Sequence, residues 1–185
     1  MKFSSTPISG LVVIEPEVFH DERGWFMESF NLQRFRNGLQ SLSVVPPDYF
    51  VQDNISSSKK GVLRGLHYQL KPFEQGKLVS VLQGAVYDVA VDLRTESSTY
   101  GEWFALELND SNKKMLWIPG GFAHGFLALE DDTRVSYKVT HFYDKDSERS
   151  VLWSDKKLNI EWPEMSNYFL SEKDRAASVL DQLPE

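Results

Sequence analysis

Apolar residues in this chain come in runs too short for helices, and nearly every run is closed by glycine, proline, asparagine or aspartate. Leu11–Glu15 ends at Pro16, Met115–Ile118 ends at Pro119-Gly120-Gly121, and Lys77–Leu82 stops at Gln83-Gly84, which reads as a hairpin turn. Trp25–Phe30, Phe50–Ile55, Gly61–Gln69, Ala85–Leu93, Trp103–Leu108, Phe122–Leu129, Arg134–Thr140 and Val151–Trp153 carry the same signature. Roughly ten strands at such spacing build a sandwich or a barrel. No strand–helix alternation is visible, which argues against a dinucleotide-binding α/β fold. The expected architecture is an all-β double-sheet roll or barrel with peripheral helices. Asn31 is placed to cap a helix through Leu32, Phe35 and Leu39, with Gly38 near its end. A second helix is expected over Ser171–Leu180, with Ser171 as cap and Glu172 and Asp174 in its first turn. Ser56–Lys60 and Asp146–Arg149 read as solvated loops. With no internal repeat or linker, residues 1–185 are read as one domain.

The net charge of −7 argues against nucleic acid or an anionic membrane as partner, because both need a basic face. A small phosphorylated ligand needs only a few local cations and remains open. The absence of cysteine removes disulfides, thiol nucleophiles and thiolate zinc sites. The N-terminus lacks a signal-peptide pattern and no apolar run approaches a membrane span, so a cytoplasmic location is expected.

Within that frame, Gly61–Gln69 is anomalous. Val62, Leu63 and Leu66 ask to be buried, yet the same strand carries Arg64, His67 and Gln69. Burying such groups unpaired costs free energy, so either they bond to one another or they line a wet pocket. His67 and His124 both sit in glycine-flanked strands, and glycine in a strand often marks a close approach by a ligand or another backbone. Two half-buried histidines satisfied by backbone would look the same. No His-x-His occurs, although distant histidines and a carboxylate could still meet around a metal. There is no Gly-x-Ser-x-Gly elbow and no glycine-rich phosphate loop, so phosphate would fall to Arg23, Arg64 and Lys77. Proton transfer is the remaining chemistry: His67 can act as base, and Tyr137, inside Val135–Val139, can act as acid or simply be a core tyrosine.

Several motifs together resemble one family, the dTDP-4-dehydrorhamnose 3,5-epimerases. They are Asp21-Glu22-Arg23-Gly24, Gln52-Asp53-Asn54, Arg64-Gly65-Leu66-His67-Tyr68-Gln69, Gly76-Lys77-Leu78-Val79, Asp88–Arg94, Ile118–Phe126 and Ser171-Glu172-Lys173-Asp174. The resemblance implies a cupin-type β jelly roll, a homodimer, and no metal or other cofactor. It implies inversion of C3 and C5 of dTDP-4-dehydro-6-deoxy-D-glucose to give dTDP-4-dehydro-L-rhamnose. By position, His67 would be the base, Asp174 its partner, Tyr137 the acid on the opposite face, and Lys77 the stabiliser of the enolate oxygen. Arg64 would meet the diphosphate, Arg23 and Glu28 the nucleotide end, with Phe26 as a wall for thymine. Gln52, Asp53 and Asn54 would also contact the nucleotide, while His124, Lys173 and Glu148 would line the sugar side. The alternatives are an enzyme inverting C3 or C5 alone, a metal-dependent cupin, and a non-catalytic sugar-nucleotide binder. Strict alternation sets Arg64 and His67 on opposite faces of their strand, so a bulge at Gly65 or a reach round the strand edge is required.

Overall fold

A computed structural model describes residues 1–184. Its strands are β1 (Lys2–Ser5), β2 (Val12–Glu15), β3 (Val18–Asp21), β4 (Gly24–Met27), β5 (Gln52–Ser58), β6 (Leu63–Gln69), β7 (Lys77–Gln83), β8 (Ala85–Asp92), β9 (Trp103–Asn109), β10 (Met115–Ile118), β11 (Phe122–Ala128), β12 (Thr133–Val139) and β13 (Glu148–Ser150). Among the described residues there are two α-helices, α1 (Leu32–Ser41) and α2 (Glu172–Arg175), and a 3₁₀ turn at Leu180–Gln182. A six-stranded sheet, β1-β2-β10-β7-β12-β5, faces a five-stranded sheet, β13-β6-β11-β8-β9, and β3-β4 form a separate ribbon. The expected all-β double-sheet jelly roll is what the chain forms, and its named strand pairs are antiparallel.

The apolar runs are continuous rather than alternating because the central strands are covered on both faces. Between the sheets lie Val79, Val81, Val86, Ala90, Leu108, Leu116, Phe126 and Val135. On the outer face of the larger sheet, Phe35 and Leu39 of α1 pack on Val12, Leu78, Met115 and Trp117. Asn31 caps that helix as expected, its side chain accepting from the Arg34 amide at 3.1 Å. The outer face of the smaller sheet, with Leu66, Val89, Val91 and Ala123, is sealed by Val151, Leu158 and Leu180 from the C-terminal third.

Four local expectations are corrected. Ser56–Ser58 are not a loop but the end of β5, which lies at the edge of its sheet. The strand expected at Val151–Trp153 lies three residues earlier, at Glu148–Ser150; Val151, just past its end, exchanges backbone hydrogen bonds with Leu66 and bridges to Ser178. The helix expected over Ser171–Leu180 is a single turn. Ser171 caps it, but the Ser178 carbonyl is claimed by the Leu152 amide at 2.8 Å and the Leu180 amide by Asp155 at 2.7 Å. Those tertiary bonds outcompete helical propensity. Strands β1 and β3 were not foreseen, being four residues each and largely exposed.

Candidate active site

The two sheets diverge at one end of the core, and there polar side chains replace apolar filling. On the larger sheet, Val79 and Val81 are succeeded along β7 by Lys77, and Val135 is succeeded along β12 by Tyr137. Tyr137 pairs in register with Asn54, so Gln52, Asn54 and Ser56 of β5 share its face. On the smaller sheet, His124 pairs with His67, and Glu148 of β13 pairs with Gln69. Together they enclose a cavity of about 510 Å³.

Arg64 and His67 share a face because β6 carries one extra residue. Between the pairs His67–His124 and Arg64–Phe126, β6 advances three positions while β11 advances two. This is a bulge, and it realigns the two side chains. Gly65 makes it possible: its φ is +110°, and a Cβ there would lie 2.6 Å from the His124 carbonyl oxygen. Of the two routes considered for Arg64, the bulge is the one the chain uses. Its guanidinium donates from Nε to the Ser58 hydroxyl at 3.1 Å and from Nη2 to the Ser57 carbonyl at 3.1 Å.

His67 Nε2 lies 2.6 Å from Asp174 Oδ1, across 107 residues of chain. The other carboxylate oxygen accepts from the Ser171 hydroxyl at 2.8 Å. Burial alone would raise the Asp174 carboxyl, but hydrogen bonds from His67 and Ser171 and the charges of His67 and Lys173 hold it below the usual range. The remaining ring nitrogen of His67, Nδ1, has no protein partner among the described residues. Lys77 is buried and donates to the His67 carbonyl at 3.1 Å. Burial pushes its ammonium down to about 8, against the raising effect of Asp88 and Glu148. Burial, opposed by Arg64 and assisted by Glu148, raises the Tyr137 phenol. His124 Nε2 lies 2.8 Å from Asp88 Oδ1, and Asp88 is wholly buried. Glu148 is ion-paired with Lys173 and accepts from the Tyr143 hydroxyl at 2.8 Å. Among the described residues no group of three or more His, Cys, Asp or Glu stands where it could hold a metal ion.

Of the residues singled out in the sequence, His67, Lys77, Tyr137, Asp174, Gln52, Asn54, Arg64, His124, Glu148 and Lys173 line this one cavity. Others lie elsewhere. Asp53 points to the opposite face of β5 and pairs with Lys138 at 2.7 Å. Arg23 and Phe26 ride on the β3-β4 ribbon, where Arg23 pairs with Asp21 and Phe26 is 69% exposed. Glu28 accepts from Asn31 at 3.1 Å and pairs with Arg34 at 3.3 Å. The cavity also recruits Ser56, Gln75, Tyr143 and Ser171, which were not singled out as site residues. Ser56 was within reach of the sequence, since extending the Gln52–Asn54 alternation by one step finds it. Tyr143 sits in a polar connection with no periodic signal.

Fold and cavity define a cupin-type β roll with a polar end equipped to move protons. The chain belongs to the dTDP-4-dehydrorhamnose 3,5-epimerase family, whose sequence profile matches residues 5–182. The dTDP-4-dehydrorhamnose 3,5-epimerase of Shigella flexneri is 53% identical over 94% of this chain and 93% of its own length. A solved Legionella pneumophila dTDP-6-deoxy-D-glucose-3,5-epimerase, in complex with dTDP-4-keto-L-rhamnose, superposes with a TM-score of 0.92. It is 47% identical, covering 99% of this chain and 94% of that one. A 3′-monoepimerase of Streptomyces bikiniensis, in complex with dTDP-quinovose, superposes with a TM-score of 0.87 at 32% identity, covering 95% and 86%.

Proposed function

We propose that this cavity inverts C3 and C5 of dTDP-4-dehydro-6-deoxy-D-glucose, giving dTDP-4-dehydro-L-rhamnose. Family membership supports the reaction. The observation that carries the division of labour is that His67 belongs to one sheet and Tyr137 to the other, across a single cavity. A sugar ring held between them meets a base on one face and an acid on the other.

Both reacting carbons flank the C4 ketone, so their protons are acidified. With Nε2–H committed to Asp174, His67 presents Nδ1 as the accepting nitrogen. The carboxylate fixes that tautomer and stabilises the imidazolium formed when the C–H bond breaks. The electron pair moves onto the C4 oxygen as an enolate, and the Lys77 ammonium is the cation placed to stabilise it. Its burial gives that charge a long reach. The Tyr137 phenol, raised by burial, holds its proton until the enolate carbon takes it from the opposite face. Solvent then restores the phenol and the imidazole for the second centre. Arg64 serves the diphosphate, and the Tyr143 ring, 54% exposed at the rim, offers a face for the base.

The chain is read as a homodimer. The β3-β4 ribbon exposes Phe19, Trp25 and Phe26, an apolar surface suited to a second copy. Among the described residues no helix is long and apolar enough to cross a membrane. A cytoplasmic site of action follows from the nucleotide-sugar substrate. Turnover in D₂O tests the reaction: deuterium is expected at both C3 and C5. Label at C3 alone would make this a 3-epimerase, the activity named for the more distant Streptomyces bikiniensis enzyme. No label at either carbon would overturn the proposal.

A further inference from the structure

Gln69 is buried, 4% exposed, at the end of the strand that carries Arg64 and His67, and it does not line the cavity. Its amide nonetheless makes three contacts, and two of them straddle one residue. Nε2 donates to the Phe142 carbonyl at 3.2 Å and to the Phe73 carbonyl at 2.6 Å. Oε1 accepts from the Asp144 amide at 2.8 Å. The residue between Phe142 and Asp144 is Tyr143. The Tyr143 amide is itself held by Gln52 Oε1 at 3.2 Å, and Gln52 is oriented by its own donation to Asn54 at 2.8 Å. Two glutamines therefore fix three successive positions of a connection that has no helix or strand of its own.

We infer that Gln69 is a positioning residue that sets Tyr143 at the cavity rim. The inference rests on the proposed function, since it takes Tyr143 as a contact for the nucleotide end of the substrate. The chemistry of the three partners dictates the side chain. Two carbonyls need donors and one amide needs an acceptor, and among side chains of this length only a carboxamide supplies both. Glutamate would aim a carboxylate at two carbonyl oxygens. Leucine would remove the partner of all three backbone groups at once. Other bonds secure the two ends of the connection: at its start Gln75 donates to the His141 carbonyl at 2.8 Å and Thr140 and Gly76 bond to each other, and at its far side Asp144 accepts from Ser147 and from the Glu148 amide. Tyr143 itself would otherwise be tethered by Gln52 and by its hydroxyl on Glu148 alone.

Gln69→Leu tests this in the full-length protein. KM for the dTDP-sugar is expected to rise about tenfold, with kcat changing less than about twofold. Amide exchange at 142–144 should accelerate by about tenfold or more, because the Asp144 amide loses its acceptor. In a Tyr143→Ala background, Gln69→Leu should change KM by less than about twofold, since the residue it positions is gone. An undiminished KM effect in that background would overturn the inference, as would a fall in kcat at constant KM or unchanged exchange. If Gln69→Leu does not fold, Gln69→Asn carries the same readings, because one methylene fewer cannot span both sides of Tyr143. Amide exchange at 142–144 is read without turnover, so failure of the epimerase reading and failure of the clamp are distinguishable.

Discussion

The cavity holds two histidine–aspartate pairs of the same composition, and they differ in access. His67 is 32% exposed at its side chain and reaches Asp174 on the one-turn helix α2. His124 is 7% exposed and reaches Asp88, wholly buried in the middle of the smaller sheet. Asp174 is held at both oxygens, by His67 and by Ser171. Asp88 is held at one, and its Oδ2 is buried with no hydrogen-bond partner. A proton-transfer group must meet the ligand and be recharged from solvent, which the first pair permits and the second does not. The second pair places fixed charge and a ring beneath the ligand, close enough for Asp88 to raise the Lys77 ammonium. On the proposed function, the same two residue types serve as a base in one setting and a support in the other, and burial makes the difference.

The widest separation should appear between His67→Asn and His124→Asn. The first is expected to lower kcat and solvent deuterium exchange by roughly 10²–10⁴-fold, the usual contribution of acid–base transfer. The second should act on KM, by about tenfold, through one lost contact to the sugar. Steady-state kinetics and exchange on both variants check this. Equal losses in kcat would erase the distinction between the pairs.

Lys77 lies between the two pairs and supplies the next largest effect. Lys77→Met should lower kcat by about 10²–10³-fold, the cost of one missing oxyanion donor. It should also raise the thermal midpoint, because a buried ammonium is removed. The pH behaviour has the same two sides. In the proposed mechanism the ammonium form is the one that stabilises the enolate, so activity should fall as pH rises through about 8. The unfolded lysine keeps its ordinary value of 10.5, so between about 8 and 10.5 the unfolded state binds more protons. The Lys77 contribution to stability therefore rises with pH across that window and is lost as pH falls through about 8. An enzyme that gains stability where it loses activity would be the signature. Parallel loss of both above pH 8 would point to general unfolding.

What the sequence revealed and concealed follows the same divide between burial and access. Strands covered on both faces, such as β8 and β11, are readable as apolar runs, and the glycines at 65 and 125 announce the close approach of β6 to β11. Besides the short exposed strands β1 and β3, the segments that escaped reading are those whose inner face is wet. Ser56–Ser58 and Glu148–Ser150 form strands without apolar alternation, because one side borders the cavity and each strand ends a sheet. Gln69 had no legible role because two of its three partners are backbone groups of a distant connection, 73 and 75 residues on. Asp53 shows the converse. Its motif neighbours Gln52 and Asn54 face the cavity, and the period of two turns Asp53 away toward Lys138.

The smallest and most diagnostic effect belongs to Asp88. Asp88→Asn preserves the shape of the side chain and can still meet His124, so activity near pH 7 should change by less than about threefold, under the tenfold step that 1.4 kcal/mol brings. It removes a negative charge whose field raises Lys77. With that support gone, burial acts on the ammonium less opposed, and its pKa must fall further below about 8. The alkaline limb of the kcat profile should then shift to lower pH while its acid limb stays in place. A limb that does not move would separate Asp88 from Lys77 and reduce the second pair to packing. A limb that moves gives the buried pair a role the exposed pair cannot fill: it holds the enolate-stabilising lysine charged at the pH where His67 works.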